Sequence, residues 1–413
     1  MEKKISVSKF MIIVLLLCVC QFFALFHTSG IIYKADFINL TVIIFSAIFI
    51  IIIGTQNKIK ITYLGKYFWW MLLSTAVWII EVLYSWYAYK AYGQSITQVV
   101  ASSFGELAII LLLPLSILQE NINSNDFLKN LIKVFGFIVA LLSILQVFLY
   151  NYGIVFLDLA NSSSRYGGLR LNISGHFLTI ALIITLFDFI EIKSYKNLIF
   201  LVTDIFALFY TLKTRSEIIY VGLAILFVII LFLKNKTAKI ILISIAVIAF
   251  VLIIINGFFV SFIEEIDSDS GINMRYNTIE YYWQQFCEHP IFGMGFIKSN
   301  TASPHLQELL YGPLYFGRIR YYYRDDVGII GIMNAKGILG LICYLSGMLL
   351  MLKQIIAIYK VNKRKYTWML AVFFYISLCS INIVYVNYLR ISTLVVVMTL
   401  INHYYISERK EAK

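Results

Sequence analysis

Charged residues are scarce in this sequence: they make up 14% of the 413 residues, against 61% hydrophobic residues. A soluble globule needs more polar sequence than this to cover its surface. The composition therefore excludes a soluble globular enzyme and predicts an all-α polytopic transmembrane helical bundle. Only four prolines occur, and three of them lie in one polar stretch, residues 258–326.

Cysteine is also rare, and the five cysteines are not spaced for a metal site or a disulfide framework. Cys18 and Cys20 are only two residues apart inside an apolar run, where they behave as small apolar side chains. We therefore predict no zinc site, no other metal and no cofactor.

Apolar runs fill most of the chain. Each is close to the ~20 residues that a helix needs to cross a bilayer. The twelve predicted spans are 10–27, 37–54, 67–88, 99–118, 131–152, 173–190, 197–213, 215–233, 240–257, 327–352, 366–388 and 390–406. No internal repeat interrupts them, so residues 1–413 are predicted to form a single membrane domain whose first span is not a cleaved signal peptide.

The net charge of +12 comes from lysines and arginines that alternate along the chain. Taking every second connection, starting with the N-terminus, collects 21 of the 34 basic residues, nearly all of them lysine. This is the positive-inside pattern, so the basic excess is predicted to face cytoplasm and anionic lipid, and we predict no nucleic-acid partner. Both termini are then cytoplasmic, and residues 258–326 form a large extracytoplasmic loop before the last three spans.

Arginine is concentrated in the other connections, which are predicted to be external. Arg165 and Arg170 lie in one external loop, Arg215 in a tight turn and Arg275 in the large loop. Guanidinium groups bind phosphate through forked hydrogen bonds, so this set is a candidate pyrophosphate site, Arg165 being a substitute for Arg170. Anchoring of lipid headgroups is the alternative that the spacing leaves open.

Residues 258–326 hold 14 of the 56 charged residues, and a connection this long favours a functional role. Asp325 and Asp326 stand directly before the tenth span, where a carboxylate can act as general base on a sugar hydroxyl. Simple pairing with Arg324 at a helix start is the alternative. His305 is a rival base, whereas His289, before a proline, is predicted to belong to a structural turn.

Four acids fall inside or near predicted spans: Glu81, Glu106, Asp188 and Asp204. Acids at membrane depth mark a functional polar pathway by default. Asp188 lies near the cytoplasmic end of its span and is predicted to be solvated.

The segment NMRYNTIEYYWQQFCEHPIFGMGF, residues 273–296, resembles the loop of Wzy-type O-antigen and capsular polysaccharide polymerases and of the related O-antigen ligases. In these families an arginine precedes an aromatic helix that ends in a proline and a G-x-G turn. The following DDVGIIGIMNAKGILGLICYL resembles their next helix, and LKTRSEIIYVGL and RYGGLRLNISGHFLTIALI resemble their earlier external segments. The resemblance covers the whole topology.

The resemblance implies a metal-independent glycosyltransferase that joins undecaprenyl-pyrophosphate-linked oligosaccharide repeat units on the outer face of the cytoplasmic membrane. Arg215 and Arg275 would hold pyrophosphate, Arg170 would assist, and Asp326 or Asp325 would take the place of the base. The ligases have a histidine where Asp325 and Asp326 stand, which favours a polymerase. Membrane lipid, a flippase and a chain-length regulator are the implied partners.

Other functions remain open. An O-antigen ligase-like transferase is the first alternative, and a lipid-linked oligosaccharide flippase or other transporter is the second. A transporter of repeated architecture would show two similar halves, whereas the large loop lies in one half only. A lipid-phosphosugar-dependent glycosyltransferase ranks third, because the first external loop, residues 27–36, contains only one acid, Asp36.

Overall fold

The computed structural model is a helical membrane protein with one small β-hairpin. It describes residues 7–25, 64–90, 93–122, 126–159, 162–165, 168–171, 174–212, 215–232, 271–298, 304–312, 322–363, 365–381 and 390–411, with isolated positions 44, 237, 384 and 386. The predicted spans 37–54 and 240–257 lie almost wholly outside the described residues.

Among the described residues, the first half of the chain contains seven α-helices and the hairpin. They are α1 (Val7–Val19), α2 (Lys66–Tyr89), α3 (Ile96–Ser103), α4 (Leu112–Glu120), α5 (Phe127–Tyr150), β1 (Ser163–Arg165), β2 (Gly168–Arg170), α6 (Gly175–Ile192) and α7 (Tyr195–Ala207). A 3₁₀ segment, Phe104–Leu111, joins α3 to α4, and one π-helical turn, Leu208–Leu212, ends α7.

The described part of the second half contains six α-helices. They are α8 (Arg215–Phe232), α9 (Gly271–Glu288), α10 (Pro304–Tyr311), α11 (Gly328–Val361), α12 (Thr367–Cys379) and α13 (Ile391–Glu411). A 3₁₀ turn, Arg324–Val327, leads into α11.

Six helical segments of the described chain are long and apolar enough to cross a membrane. They are Lys66–Tyr89, Ile96–Glu120, Phe127–Tyr150, Gly175–Ile192, Tyr195–Leu212 and Arg324–Val361. Shorter apolar helices occupy Val7–Val19, Glu217–Ile230 and Thr367–Cys379. The protein is therefore a multi-pass membrane protein, while the number of twelve spans and the sidedness of the large loop remain predictions.

One predicted span has a break that the sequence did not predict, and the break shapes the site. Residues 327–352 fall within Arg324–Val361, a segment long and apolar enough to cross a membrane, but α11 is broken at Gly337, which has φ +57° and ψ −156°. A break inside a membrane helix leaves backbone groups that neighbouring protein must satisfy.

Asp188 is a second difference. It was expected to be solvated, but it is only 5% exposed and forms ion pairs with Lys129 and Lys133 of α5. All three residues lie at one end of α5 and α6. The low exposure follows from the close packing of these two helices, whose approach is tight enough that a Cβ on Gly136 would stand 2.2 Å from Ala181 Cβ.

Candidate active site

The turn after α9 inserts into the break of α11. Three hydrogen bonds close the break: Met294 N–H donates to Asn334 O at 2.6 Å, Gly295 N–H to Ala335 O at 2.8 Å, and Ile338 N–H to Pro290 O at 2.8 Å. These are the groups that a continuous helix would pair internally. The His289 to Phe296 segment is thus the structural turn that the sequence predicted, and its second role, as partner of a broken helix, was not predicted.

Two glycines allow the turn to approach so closely. Gly293 has φ +65°, and a Cβ there would stand 2.4 Å from Asn334 O. Gly295 has φ +75°, and a Cβ there would stand 2.2 Å from Ser85 Oγ. Each position therefore combines a left-handed backbone with contact too close for any side chain.

Replacing Gly293 by alanine is expected to expel the turn from the break, because the new methyl group meets backbone atoms that cannot rotate away. We expect a loss of membrane-inserted protein and of activity, at a cost of several kcal/mol from strain and lost hydrogen bonds. Protein level in purified membranes measures this. Gly222→Ala in α8 is the matched control, since nothing lies within 4 Å of a Cβ there; equal levels for the two variants would contradict the argument.

Helix α9 packs on α11 through a buried polar row. Tyr282 is fully buried and its hydroxyl donates to Leu310 O at 2.5 Å and to Tyr322 O at 3.0 Å. Gln285 accepts from Asn334 Nδ2 at 2.8 Å. Tyr282 and Gln285 thus share the inward face of α9, with Arg275 two turns earlier in the same helix, its side chain lying outside the described residues.

Two tyrosines of α9 are unsuited to act as bases. Burial raises the pKa of Tyr282 far above its usual range. Burial, with the nearby Glu308 carboxylate, raises the pKa of Tyr281 to about 12, and its hydroxyl donates to Glu308 O at 2.7 Å. Both phenols therefore stay neutral and donate to α10, which they hold against α9.

Asp325 and Asp326 lie in the 3₁₀ turn that begins at Arg324, directly before α11. Asp325 is exposed and Asp326 is half-buried. Arg324 Nη1 donates to Gly295 O at 3.0 Å, which ties the two aspartates to the inserted turn. The sequence placed these acids before the helix, and the structure adds that their position depends on the turn, about thirty residues earlier.

His305, the rival base, is the second residue of α10 and is exposed. Its helix is held by α9, since Gln285 Nε2 donates to Leu309 O at 3.3 Å. The aspartate turn is held by α9 as well, because Tyr282 of α9 donates to Tyr322 O, two residues before the turn begins. Both kinds of candidate base therefore depend on one helix, α9.

The end of the hairpin, with Arg170, packs against the end of α7, which precedes Arg215 in the chain. Leu171 N–H donates to Thr211 O, and Arg170 Nε donates to Leu212 O, both at 3.1 Å. Arg215 begins α8 three residues after Leu212, so the hairpin end and the start of α8 are neighbours. Arg165 pairs with Gly168 across the hairpin. The side chains of Arg165 and Arg215 lie outside the described residues.

A buried ion pair at this end of the bundle was missed as a site feature. Arg390, just before α13, is 9% exposed and its Nη2 lies 3.0 Å from Glu217 Oε1 in α8. Glu217 Oε2 accepts from Thr179 Oγ1 of α6 at 3.2 Å. The pair fixes the first turn of α8, two residues after Arg215. The one signal for this ion pair in the sequence was the acid Glu217, two positions after Arg215.

The aspartate turn before α11 and the start of α8 both lie near the C-terminal end of α12. Ile329 N–H, in the first turn of α11, donates to Ser380 O at 2.9 Å, and a Cβ on Gly328 would stand 2.1 Å from that oxygen. The preceding residue, Cys379, lies within hydrogen-bonding reach of Arg390. The end of α12 therefore separates the start of α11, with Asp326, from the start of α8, with Arg215.

A recess opens beneath this region between α2, the 3₁₀ segment, α11 and residues near the start of α13. Its walls include Trp70, Trp78 and Ile332, and its polar end is formed by Glu106 and Lys336. Two predicted membrane acids, Glu106 and the nearby Glu81, thus lie below the start of α11, while Asp204 is buried separately in α7.

Residues 199–345 match the family model of the O-antigen ligases. The matched segment contains Arg215, Arg275, His305 and both aspartates, together with the turn and the break that it closes. It begins after the hairpin, so Arg165 and Arg170 lie outside it. No curated protein matches the chain.

The O-antigen ligase match supports the ligase and polymerase superfamily that the sequence pattern resembles. It supports a glycosyltransferase-like membrane enzyme that processes lipid-linked polysaccharide. The family description does not separate a ligase from a polymerase.

Proposed function

We propose that this protein is a polysaccharide polymerase that joins undecaprenyl-pyrophosphate-linked oligosaccharide repeat units on the outer face of the cytoplasmic membrane. The hydroxyl of one lipid-linked unit attacks the anomeric carbon of the glycan on another. The carbon–oxygen bond to the pyrophosphate breaks as the new glycosidic bond forms. Asp326 or Asp325 takes the hydroxyl proton, and the lipid pyrophosphate leaves with the bonding electron pair.

One observation supports this proposal most directly: the segment that matches the O-antigen ligase family contains the aspartate pair before α11, Arg215 at the start of α8 and Arg275 in α9. Arg170 donates to Leu212 O, three positions before Arg215, and Arg275 lies on the helix that holds the aspartate turn. Guanidinium groups in this arrangement would bind the pyrophosphate and stabilise the charge that develops as it leaves. Arg165 would assist from the hairpin.

The ligase alternative is favoured by the description of the matching family. A ligase uses the same lipid-linked donor but passes the finished glycan to a different acceptor, so the arginines would have the same task in both reactions. The aspartate pair, at the position where the ligases carry a histidine, supports the polymerase. A flippase and a chain-length regulator are the proposed protein partners of the pathway.

Glycan length in a deletion strain complemented with the gene tests the proposal, with the lipid-linked pool extracted alongside. We expect the deletion to accumulate single repeat units on the outer leaflet and the gene to restore long polymer. Single units that stay inside would show a flippase. Long lipid-linked polymer that accumulates without reaching its final acceptor would show a ligase.

A further inference from the structure

An ion pair lies within the membrane-spanning segments, directly below the inserted turn. Lys336 Nζ contacts Glu106 Oε2, and the two side chains are 16% and 19% exposed. Lys336 is the residue before the break at Gly337, and Glu106 lies in the 3₁₀ segment that interrupts the helix from α3 to α4. Each partner thus comes from an irregular part of a membrane helix, where function is commonly located.

The lysine also contacts the turn. Lys336 Nζ stands 5.5 Å from the centre of the Phe296 ring, a cation–π distance. Phe296 N–H donates to Ser85 Oγ at 2.7 Å. The neighbouring Gly295 donates to Ala335 O and accepts from Arg324. The ammonium group is therefore separated from the aspartate turn by Phe296, Gly295 and Arg324 alone.

The electrostatic surroundings extend the same connection. Arg324, Asp325 and Lys336 are all near enough to act on the charge of Glu106. Glu81 is fully buried in α2, near both Lys336 and Glu106, and its two carboxylate oxygens have no hydrogen-bond partner in the described part of the chain. Two acids thus surround one lysine where the bilayer makes charge costly.

We propose that Glu106 and Lys336 are positioning residues for the transfer reaction: their ion pair holds the inserted turn, and through Arg324 the aspartate pair, in the geometry that the reaction requires. This inference rests on the proposed function. A buried ion pair adds little stability relative to an apolar pair of similar size, so stability alone does not account for its presence here. Its contacts with Phe296 and its proximity to Asp325 do.

The chain contains matched controls. Lys133 and Asp188 form a buried ion pair between α5 and α6, with side-chain exposures of 9% and 7%. Asp204 in α7 is a fully buried acid whose oxygens have no hydrogen-bond partner among the described residues. Lys133→Met therefore measures the effect of removing one of the two lysine partners of a buried acid, since Lys129 also pairs with Asp188, and Asp204→Asn measures that of neutralising a membrane acid.

The experiment uses the full chain purified in lipid nanodiscs, with a lipid-linked repeat unit as substrate. kcat and KM are measured for Glu106→Gln, Lys336→Met, the charge-swapped pair Glu106→Lys with Lys336→Glu, and the two controls. Hydrogen exchange of residues 289–298 gives a second readout that needs no turnover. It reports directly on the amides of Met294, Gly295 and Phe296.

Each single variant at the pair is expected to lower kcat about tenfold or more per folded protein, with a smaller change in KM, and to speed exchange of the turn. The charge-swapped variant should recover most of both. Lys133→Met should reduce protein yield without lowering kcat, and Asp204→Asn should change neither kcat nor exchange in the turn.

Normal kcat and normal exchange in both single variants would overturn the positioning role. A folded charge-swapped variant as impaired as the singles would overturn it too, because the pairing of charge would not be what matters. If the wild-type chain transfers no glycan, the proposed function fails. Altered exchange in the single variants would then still support the link between the pair and the turn.

Discussion

Arg215→Ala and Arg275→Ala are each expected to end polymer formation while leaving the protein in the membrane. The proposed reaction expels a pyrophosphate, whose developing charge these guanidinium groups would stabilise. Removing one such donor typically costs about 10²–10³ in kcat, which is enough to remove long glycan from a gel. Arg215 starts α8 and Arg275 lies in α9.

The controls separate charge from geometry. Arg215→Lys keeps the charge but loses the fork, so polymer should be reduced and not abolished. Arg409→Ala removes an exposed arginine near the C-terminal end of α13 that stacks on Tyr405, 4.8 Å from the ring centre, and should leave glycan length unchanged. Loss of protein from the membrane in the alanine variants at 215 and 275 would reduce these arginines to a folding role.

Much of the helical framework was predictable because its signal is local. Runs of about twenty apolar residues correspond to helices α2, α5 and α6, whose bounds agree with the predicted spans to within a few residues. Tyr282 and Gln285 lie on one face of α9, because a three-residue step returns to nearly the same side of a helix. The turn at His289 and Pro290 was likewise indicated by its own residues.

The break at Gly337 was missed because its cause is not local. Gly337 stands in an apolar, glycine-bearing run that reads as one continuous membrane helix. The backbone groups that the break releases are satisfied by a turn more than forty residues earlier, at Pro290, Met294 and Gly295. A sequence window cannot show that such partners exist.

The ion pairs could not be predicted from the sequence for the same reason. Arg390 and Glu217 are 173 positions apart, and Lys336 and Glu106 are 230 apart. The sequence identified Glu106 as a membrane acid, but it could not pair Glu106 with Lys336 or Glu217 with Arg390. Asp188 was read as solvated because it lies near a helix end, whereas its burial depends on α5.

The catalytic base provides the second large effect. We expect Asp326→Asn to lower the transfer rate by about 10²–10⁴, the usual contribution of a positioned general base. Asp326 is half-buried at the start of α11, where partial exclusion of water strengthens its interaction with an acceptor hydroxyl, whereas Asp325 is exposed. Asp325→Asn is therefore expected to cost less than Asp326→Asn. Single-turnover transfer from a lipid-linked donor measures both.

Two further variants decide the assignment. Glu280→Gln neutralises an exposed acid on α9, in the same polar stretch, and should leave the rate unchanged. His305→Gln tests the rival base on α10. A larger loss for His305→Gln than for Asp326→Asn would give the histidine the role of base, and the aspartate turn would then serve to hold the start of α11. A loss confined to the aspartates would mean that the inserted turn, through Arg324 and Gly295, positions the reacting carboxylate from inside a broken membrane helix.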